Sequence, residues 1–237
     1  MMTKISNVDE WVFENDNKIR SDLEEFDKSD SLIETSFSTK RYFEYDHYSR
    51  YLDAWRLLQL NLPDLENAQV LEAGSYFPYM SYPFIDTYNW SVKVFCVNLK
   101  KLYFFRNKKC VIEYGNLCTD DLGNSIYDLI IATEVLEHLP SNIFRVVERI
   151  KRALKPDGYF LVSFPMGGYN AKDYEKDLIQ IEDQYFPERY NLGNPHLREY
   201  NNDTVESIVT GMKLLYEKRS TPIAYNNIIQ RLYQKVV

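Results

Sequence analysis

The segment IIATEVLEHLP, residues 130–140, places three ionisable side chains directly after a run of apolar residues. Burying ionised groups beside such a run costs free energy unless each group is paired with an opposite charge, hydrogen-bonded or bound to a ligand. If a helix begins at Glu134, then Glu134, Glu137 and His138 share one face, because residues three and four apart are neighbours on a helix. Two carboxylates this close favour a bound cation or a shared proton. Carboxylates in a first helical turn also stabilise the helix dipole, so a structural role stays open.

Histidine is scarce in this chain, with three residues in 237. His138 lies in the segment above, and His196 lies in NPHLREY, after the fifth predicted strand, where it can fold over the same site. Imidazole titrates near neutral pH, so either residue is a candidate general base. The third, His47 in EYDHYSRY, is predicted on an N-terminal helix as a surface or lid residue. The tyrosines around it could form a lid over a ligand: Tyr42, Tyr45, Tyr48 and Tyr51.

Short apolar runs predict the strands that must position these residues. Near-continuous hydrophobic strands alternating with helical stretches indicate a parallel sheet covered on both faces. In an open sheet of this kind, ligands bind beyond the carboxyl ends of the strands. The predicted strands are AQVLEAG (68–74), VKVFCVNL (92–99), CVIEYGN (110–116), YDLIIAT (127–133) and GYFLVSFP (158–165).

Helical and closing elements complete the predicted architecture. SNIFRVVERIKRALKPDG is an amphipathic helix that Pro156 and Gly158 are expected to stop. A helix near 203–211 and two strands, MKLLYEKRS and IIQRLYQKVV, follow a loop rich in tyrosine and acidic residues. The prediction is an α/β fold with a seven-stranded mixed sheet and helices on both faces. Residues 1–65 are predicted as a helical N-terminal extension and residues 66–237 as the main domain.

Composition limits the partners. The net charge of −7 disfavours a nucleic-acid partner, because phosphate binding relies on clustered Lys and Arg. No apolar run approaches the ~20 residues of a membrane span, and the first residues lack the apolar core of a signal peptide. Three cysteines without a CxxC pair indicate reduced thiols in a cytoplasmic protein. A homodimer stays open.

Four blocks of the sequence, within residues 66–237, resemble the class I S-adenosylmethionine-dependent methyltransferases in order and spacing: VLEAGS, FCVNL, YDLIIATEVLEHL and LKPDGYFLVSFP. NPHLREY is similar to a segment of small-molecule and glycan-modifying members. The resemblance implies a Rossmann-like fold with S-adenosylmethionine as cofactor. The cofactor-binding residues that it implies are Glu72, Gly74, Ser75, Asn98, Asn116 and Leu117.

The chain departs from this family at three points. Tyr76 and Pro78 stand where two glycines of the cofactor loop usually lie, so the loop either takes a different turn or has lost cofactor binding. Asn98 and Asn116 replace acidic residues, and an amide can still hydrogen-bond a ribose diol or an adenine amino group. A nicotinamide enzyme is disfavoured, because GSYFPY lacks the G-x-G-x-x-G fingerprint.

The string E-x-x-E-H with a later histidine also resembles the small-RNA terminal-ribose O-methyltransferases, which bind a divalent cation. That resemblance implies a metal site for Mn²⁺, Mg²⁺, Fe²⁺, Co²⁺ or Zn²⁺, formed by Glu134, Glu137, His138 and His196. Without a metal, His138 or His196 would be the general base, with Glu134 as a further catalytic residue. Arg198 and Tyr200 either contact the acceptor or pack against the next helix.

The prediction for function is an O-methyltransferase acting on a small molecule, a sugar or nucleotide-linked sugar. The choice of a sugar is by analogy with relatives that share HLREY. Two alternatives stay open: a metal-independent methyltransferase with another small acceptor, methylated at nitrogen or carbon, and a non-catalytic cofactor-binding module.

Overall fold

The structure is a computed structural model. It describes residues 7–29, 48–62, 64–75, 77–96, 109–139, 142–165, 200–220 and 228–236. The helices in these ranges are α1 Val8–Ser29, α2 Tyr48–Asn61, α3 Tyr82–Thr87, α4 Ile143–Ala153 and α5 Asn202–Ile208, with a 3-10 turn at Leu136–His138. None of these described helices has the length and hydropathy to cross a membrane.

The described strands are β1 Gln69–Ala73, β2 Ser91–Cys96, β3 Cys110–Tyr114, β4 Tyr127–Thr133, β5 Leu154–Pro165, β6 Met212–Ser220 and β7 Ile228–Lys235. They form one sheet in the order β3-β2-β1-β4-β5-β7-β6. β1, β2 and β3 pair in parallel, as do β4 and β5, whereas β7 is antiparallel to both β5 and β6. The predicted seven-stranded, Rossmann-like mixed sheet is therefore confirmed.

The chain divides into two compact units, Met1–Gly115 and Asn116–Val237. The first contains α1, α2, α3 and the strands β1 to β3, and the second contains the remaining elements. The helices α1 and α2 therefore belong to the same unit as the first strands. The division into an extension, 1–65, and a main domain, 66–237, stays a prediction.

Aromatic packing ties α1 and α2 to the segment after β1. Trp55 on α2 is fully buried, and its indole N–H donates a hydrogen bond to the Tyr79 carbonyl over 2.9 Å. Tyr51 stacks on Tyr79 with ring centroids 5.0 Å apart. Trp11 on α1 packs against Phe84 at 5.1 Å. These buried rings give the first unit much of its core.

Two of the tyrosines predicted to form a lid lie within this packing. Tyr51 is buried, and the Tyr48 hydroxyl donates to Asp16 on α1 over 3.1 Å. Tyr48 thus joins α2 to α1, and Tyr51 joins α2 to the turn that contains Tyr79. The lid role stays a prediction for three residues outside the described ranges, Tyr42, Tyr45 and His47.

The helix α4 forms where its apolar periodicity predicts, but it ends earlier. Asn142 caps its first turn by accepting a hydrogen bond from the Phe144 N–H over 3.0 Å. The helix ends at Ala153, and β5 begins at Leu154, so Pro156 and Gly158 lie in the irregular start of the strand. A Cβ at Gly158 would lie 3.0 Å from the Lys155 carbonyl oxygen. Gly158 thus permits a close backbone approach and does not end the helix.

Arg231, in the middle of β7, organises the outer part of the second unit. It is 4% exposed and donates to four side chains at 2.9–3.2 Å: Glu217, Glu206, Tyr233 and Asn202. These partners join β6, β7 and α5 around one guanidinium. A buried cation is tolerated when its donors are satisfied in this way.

We expect the substitution Arg231→Met to lower the free energy of unfolding by about 3 kcal/mol, because it removes one partner of a buried ionic network. The matched control is Arg219→Met. Arg219 also donates to Glu217, but its side chain is 63% exposed, so we expect a loss of about 0.5 kcal/mol or less. Urea denaturation followed by circular dichroism measures both. Equal losses of unfolding free energy in Arg231→Met and Arg219→Met would contradict our conclusion that burial makes the contacts of Arg231 more stabilising.

Candidate active site

Glu72 anchors the segment that follows β1. The side chain is 2% exposed, and its two carboxylate oxygens accept hydrogen bonds from the backbone N–H groups of Met80 and Ser81 over 3.1 and 3.0 Å. The Ser81 hydroxyl donates a third over 2.6 Å. The sequence analysis predicts that Glu72 binds the cofactor. In the first unit, the groups that donate these hydrogen bonds to Glu72 belong to Met80 and Ser81, in the segment that follows β1. Ser81, which the sequence analysis did not identify, is the polar residue in the aromatic run YFPYMSYPF.

Gly74 provides the turn out of β1. Its φ of 76° lies in the left-handed region, which glycine adopts without the clash of a Cβ. Its N–H donates to the Phe95 carbonyl over 2.9 Å, and the hydroxyl of the next residue, Ser75, hydrogen-bonds the Phe77 carbonyl. Tyr76 lies outside the described residues, and Pro78 is buried. The segment thus keeps the glycine that its turn requires and buries Pro78 at one of the two positions where further glycines are usual.

Burial also changes the acidity of Glu72. Loss of hydration raises the pKa of its carboxyl group from 4.5 to about 7, although the hydrogen bonds from Ser81, Met80 and Ser75 oppose the shift. The folded chain therefore binds more protons than the unfolded chain between about pH 4.5 and about pH 7. Stability from this group decreases as the pH rises across that window.

We expect the Glu72→Gln variant to lose this pH dependence. The wild-type free energy of unfolding should fall by on the order of 3 kcal/mol more than that of the variant between about pH 5 and about pH 8. Urea denaturation at several pH values measures the two slopes. Glu148→Gln, which changes an exposed carboxylate on α4, is the control and should keep the wild-type slope. If the free energy of unfolding depends on pH in the same way in wild type and Glu72→Gln, the assignment of this pH dependence to Glu72 is refuted.

Asn116 and Leu117 begin a tight turn after β3. The Asn116 side-chain oxygen accepts a hydrogen bond from the Cys118 N–H over 2.9 Å, and the Asn116 N–H donates to Asp120 over 2.8 Å. Leu117 is buried, and Arg149 on α4 donates to its carbonyl oxygen over 3.3 Å. The turn is therefore fixed by its own side chains and by α4. An interaction with adenine stays a prediction for both residues.

Glu134 leaves β4 in a conformation that the helical spacing does not predict. Its φ of 54° is left-handed, which a residue with a Cβ adopts at a cost of about 1–2 kcal/mol. Its N–H donates to the Ser163 hydroxyl over 3.0 Å, and that hydroxyl donates to the Glu134 carboxylate over 2.8 Å. The expectation of a helix beginning at Glu134 is wrong, since the 3-10 turn begins at Leu136. The polar residue in the apolar strand FLVSFP, Ser163, was the available signal for this contact.

Glu137 and His138 lie together in the 3-10 turn with very different exposure. The Glu137 side chain is fully buried, whereas the His138 side chain is 16% exposed. The His138 Nε2 and the Glu137 Oε1 are 3.7 Å apart, within the range of an ion pair when the imidazole is protonated. A buried carboxylate behind a partly exposed imidazole is an arrangement that can stabilise a proton gained by the histidine.

The predicted metal site is not assembled from the described residues. Across the described ranges, no group of three or more His, Cys, Asp or Glu residues is arranged to hold an ion. Glu137 is fully buried and Glu134 is bonded to Ser163. Of the remaining predicted residues, Tyr200 is buried with its ring 4.7 Å from that of Phe164, as packing predicts. Three others lie outside the described residues: Asn98, His196 and Arg198.

Comparison with known proteins identifies the type of domain. A family model described as a methyltransferase domain matches residues 45–210, more than half of the chain. The match includes β1 to β5 and the segment from Glu134 to His138. No curated protein matches the sequence.

Solved structures share the fold at low sequence identity. The N-methyltransferase NodS from Bradyrhizobium japonicum, in complex with S-adenosylhomocysteine, is 12% identical with a TM-score of 0.59, covering 89% of this chain and 98% of its own. The 1,6-didemethyltoxoflavin-N1-methyltransferase from Burkholderia thailandensis is 15% identical with a TM-score of 0.58, covering 100% and 94%. A phosphoethanolamine N-methyltransferase from Haemonchus contortus is 14% identical with a TM-score of 0.58, covering 80% and 53%. At these identities the likeness shows the fold.

Proposed function

The chain belongs to the family of methyltransferase domains and is an S-adenosylmethionine-dependent methyltransferase, and we propose that it methylates a hydroxyl group of a small polar acceptor. The observation that supports a hydroxyl acceptor most directly is the pair formed by His138 and Glu137. We propose a sugar or nucleotide-linked sugar as the acceptor class. A cytoplasmic location and a homodimer stay predictions.

His138 is the proposed general base. A sugar hydroxyl is a weak nucleophile while it is protonated, so its proton must leave as the new oxygen–carbon bond forms. S-adenosylmethionine supplies an electrophilic methyl group on a sulfonium. In our proposal the hydroxyl proton moves to the His138 imidazole, and the Glu137 carboxylate, 3.7 Å away, stabilises the resulting imidazolium. The attraction between the two charges would be screened less than at the surface, because Glu137 is shielded from water.

Glu134 is the proposed acceptor-binding carboxylate. It lies at the carboxyl end of β4, where open α/β sheets bind their ligands, and it is partly exposed. An ionised carboxylate accepts hydrogen bonds from hydroxyl groups and can orient a second hydroxyl of a sugar. This orientation would align the reacting oxygen with the methyl group, which is the main task of a transferase of this type.

Two of the residues proposed for the cofactor, Gly74 and Glu72, shape the segment that follows β1. Gly74 has the left-handed backbone that lets the chain turn sharply at the carboxyl end of β1, and Glu72 holds the segment that follows. The chemistry of this turn is compatible with a cofactor that approaches main chain. We therefore retain Glu72, Gly74, Ser75, Asn98, Asn116 and Leu117 as proposed cofactor residues.

The proposal has a second form, in which the enzyme depends on a divalent metal ion. Glu134, Glu137, His138 and His196 are its proposed ligands, and an ion there would act as a Lewis acid on the acceptor hydroxyl. The buried state of Glu137 favours the metal-free form, because this carboxylate would have to become accessible to an ion. The two forms differ in their response to a chelator.

The first test measures cofactor binding and the position of the new methyl group. Calorimetry with S-adenosylhomocysteine establishes binding to the full chain. Transfer from labelled S-adenosylmethionine is then assayed with UDP-glucose, GDP-mannose and glucose 1-phosphate, and with ethanolamine and glycine as amine acceptors. We expect binding and an O-methyl product, identified by mass spectrometry and NMR. A product methylated at nitrogen would refute the hydroxyl proposal, and cofactor binding without transfer to any acceptor would support the non-catalytic cofactor-binding module.

We expect His138→Ala to lower kcat by about 10²–10⁴-fold, the usual contribution of a positioned general base, while the affinity for S-adenosylhomocysteine is retained. Glu137→Gln, which keeps the shape of the side chain and removes its charge, should lower kcat by less. The rate should be unaffected by EDTA. Loss of activity with EDTA that Mn²⁺ restores would instead establish the metal-dependent form.

A further inference from the structure

We propose that Ser163 is a positioning residue for methyl transfer, because it fixes the conformation of Glu134. The inference rests on the proposed function, since Glu134 contributes to catalysis only if the acceptor binds there. Ser163 lies on β5, in register with Thr133, the last residue of β4. It is fully buried, so its contribution would pass through Glu134 and not through contact with the substrate.

Two hydrogen bonds connect the same two residues in opposite directions. The Glu134 N–H donates to the Ser163 Oγ over 3.0 Å, and the Ser163 hydroxyl donates its one proton to the Glu134 Oε1 over 2.8 Å. One bond holds the backbone of Glu134 and the other holds its carboxylate. A serine hydroxyl can perform both roles because it has a donor and acceptor lone pairs.

The backbone of Glu134 needs such a constraint. Its left-handed φ of 54° is unfavourable for a residue with a Cβ, and such conformations persist only where the surroundings impose them. Without the bond from its N–H, Glu134 could relax to an ordinary conformation, which would redirect its carboxylate. Unfavourable backbone held by a buried partner is typical of residues whose direction matters for function.

The packing around Ser163 does not itself require a hydroxyl. Its neighbours on the same face of β5, Leu161 and Pro165, are buried and apolar, and the residues paired with it across the sheet are Thr133 on β4 and Gln230 on β7. Alanine would fit the same space, and a buried hydroxyl is tolerated because it is hydrogen-bonded. The Ser163→Ala variant is therefore expected to fold, and Ser163→Thr retains the hydroxyl as the conservative control.

The test combines kinetics with amide exchange. With whichever nucleotide sugar is methylated, Ser163→Ala should lower kcat/KM by about tenfold, the factor of one net hydrogen bond, while the affinity for S-adenosylhomocysteine stays at the wild-type value. Ser163→Thr should recover most of the loss. In a Glu134→Gly background, adding Ser163→Ala should cause no further loss, because the serine acts through the missing carboxylate.

Two results from the assays of activity and stability would overturn the proposal, and a third would come from hydrogen exchange. One is a further loss from Ser163→Ala in the Glu134→Gly background. The other is a lower Tm for Ser163→Ala with unchanged kcat/KM, which would mean a purely structural role. Hydrogen exchange at the Glu134 amide needs no acceptor: it should be about tenfold faster in Ser163→Ala, and an unchanged rate would refute the inference even if no hydroxyl is methylated. If the proposed function is wrong, the wild-type protein will not methylate a hydroxyl group. If only this inference is wrong, the wild type will be active and the Ser163 variants will not behave as expected.

Discussion

A carboxylate with 2% exposure can be retained only where hydrogen-bond donors replace water, and the first unit is arranged around this constraint at Glu72. Two backbone N–H groups and one hydroxyl, from Met80 and Ser81, meet its oxygens. These contacts fix the path of the chain from Gly74 to α3. The helices α1 and α2 then pack on this path through Trp11, Trp55 and Tyr51.

This anchoring explains how the segment after β1 tolerates so many large side chains. Pro78, at one of the two positions where further glycines are usual, is buried, and its neighbour Phe77 lies 5.4 Å from Tyr79 in the aromatic core. Only Gly74 has the left-handed φ among the described residues of this turn, from 74 to 81. Beyond Gly74, the position of the backbone is therefore set by the bonds to Glu72 and by apolar burial.

Hydrophobic patterning was sufficient to predict the sheet, because burial of a strand depends on residue type over several positions. The run YDLIIAT and the pair MKLLYEKRS and IIQRLYQKVV form strands where the pattern indicates. Patterning could not predict the backbone of Glu134, because a single left-handed residue depends on a partner 29 positions away, Ser163. The end of α4 was predicted to within a few residues, since the helix ends at Ala153, three residues before Pro156. The start of β5 was not, because Pro156 and Gly158 lie inside the irregular beginning of that strand.

The same limit applies to the charged residues of TEVLEHL. Helical spacing treats Glu134, Glu137 and His138 as one face, but the left-handed step at Glu134 separates the first carboxylate from the turn that contains the other two residues. Glu137 is then fully buried behind His138, whereas Glu134 is partly exposed and bonded to Ser163. Two identical side chains thus have different surroundings, because one is fully buried and the other is partly exposed and bonded to Ser163. This asymmetry favours one acceptor-binding carboxylate and one base with a supporting carboxylate over a cage of equivalent metal ligands.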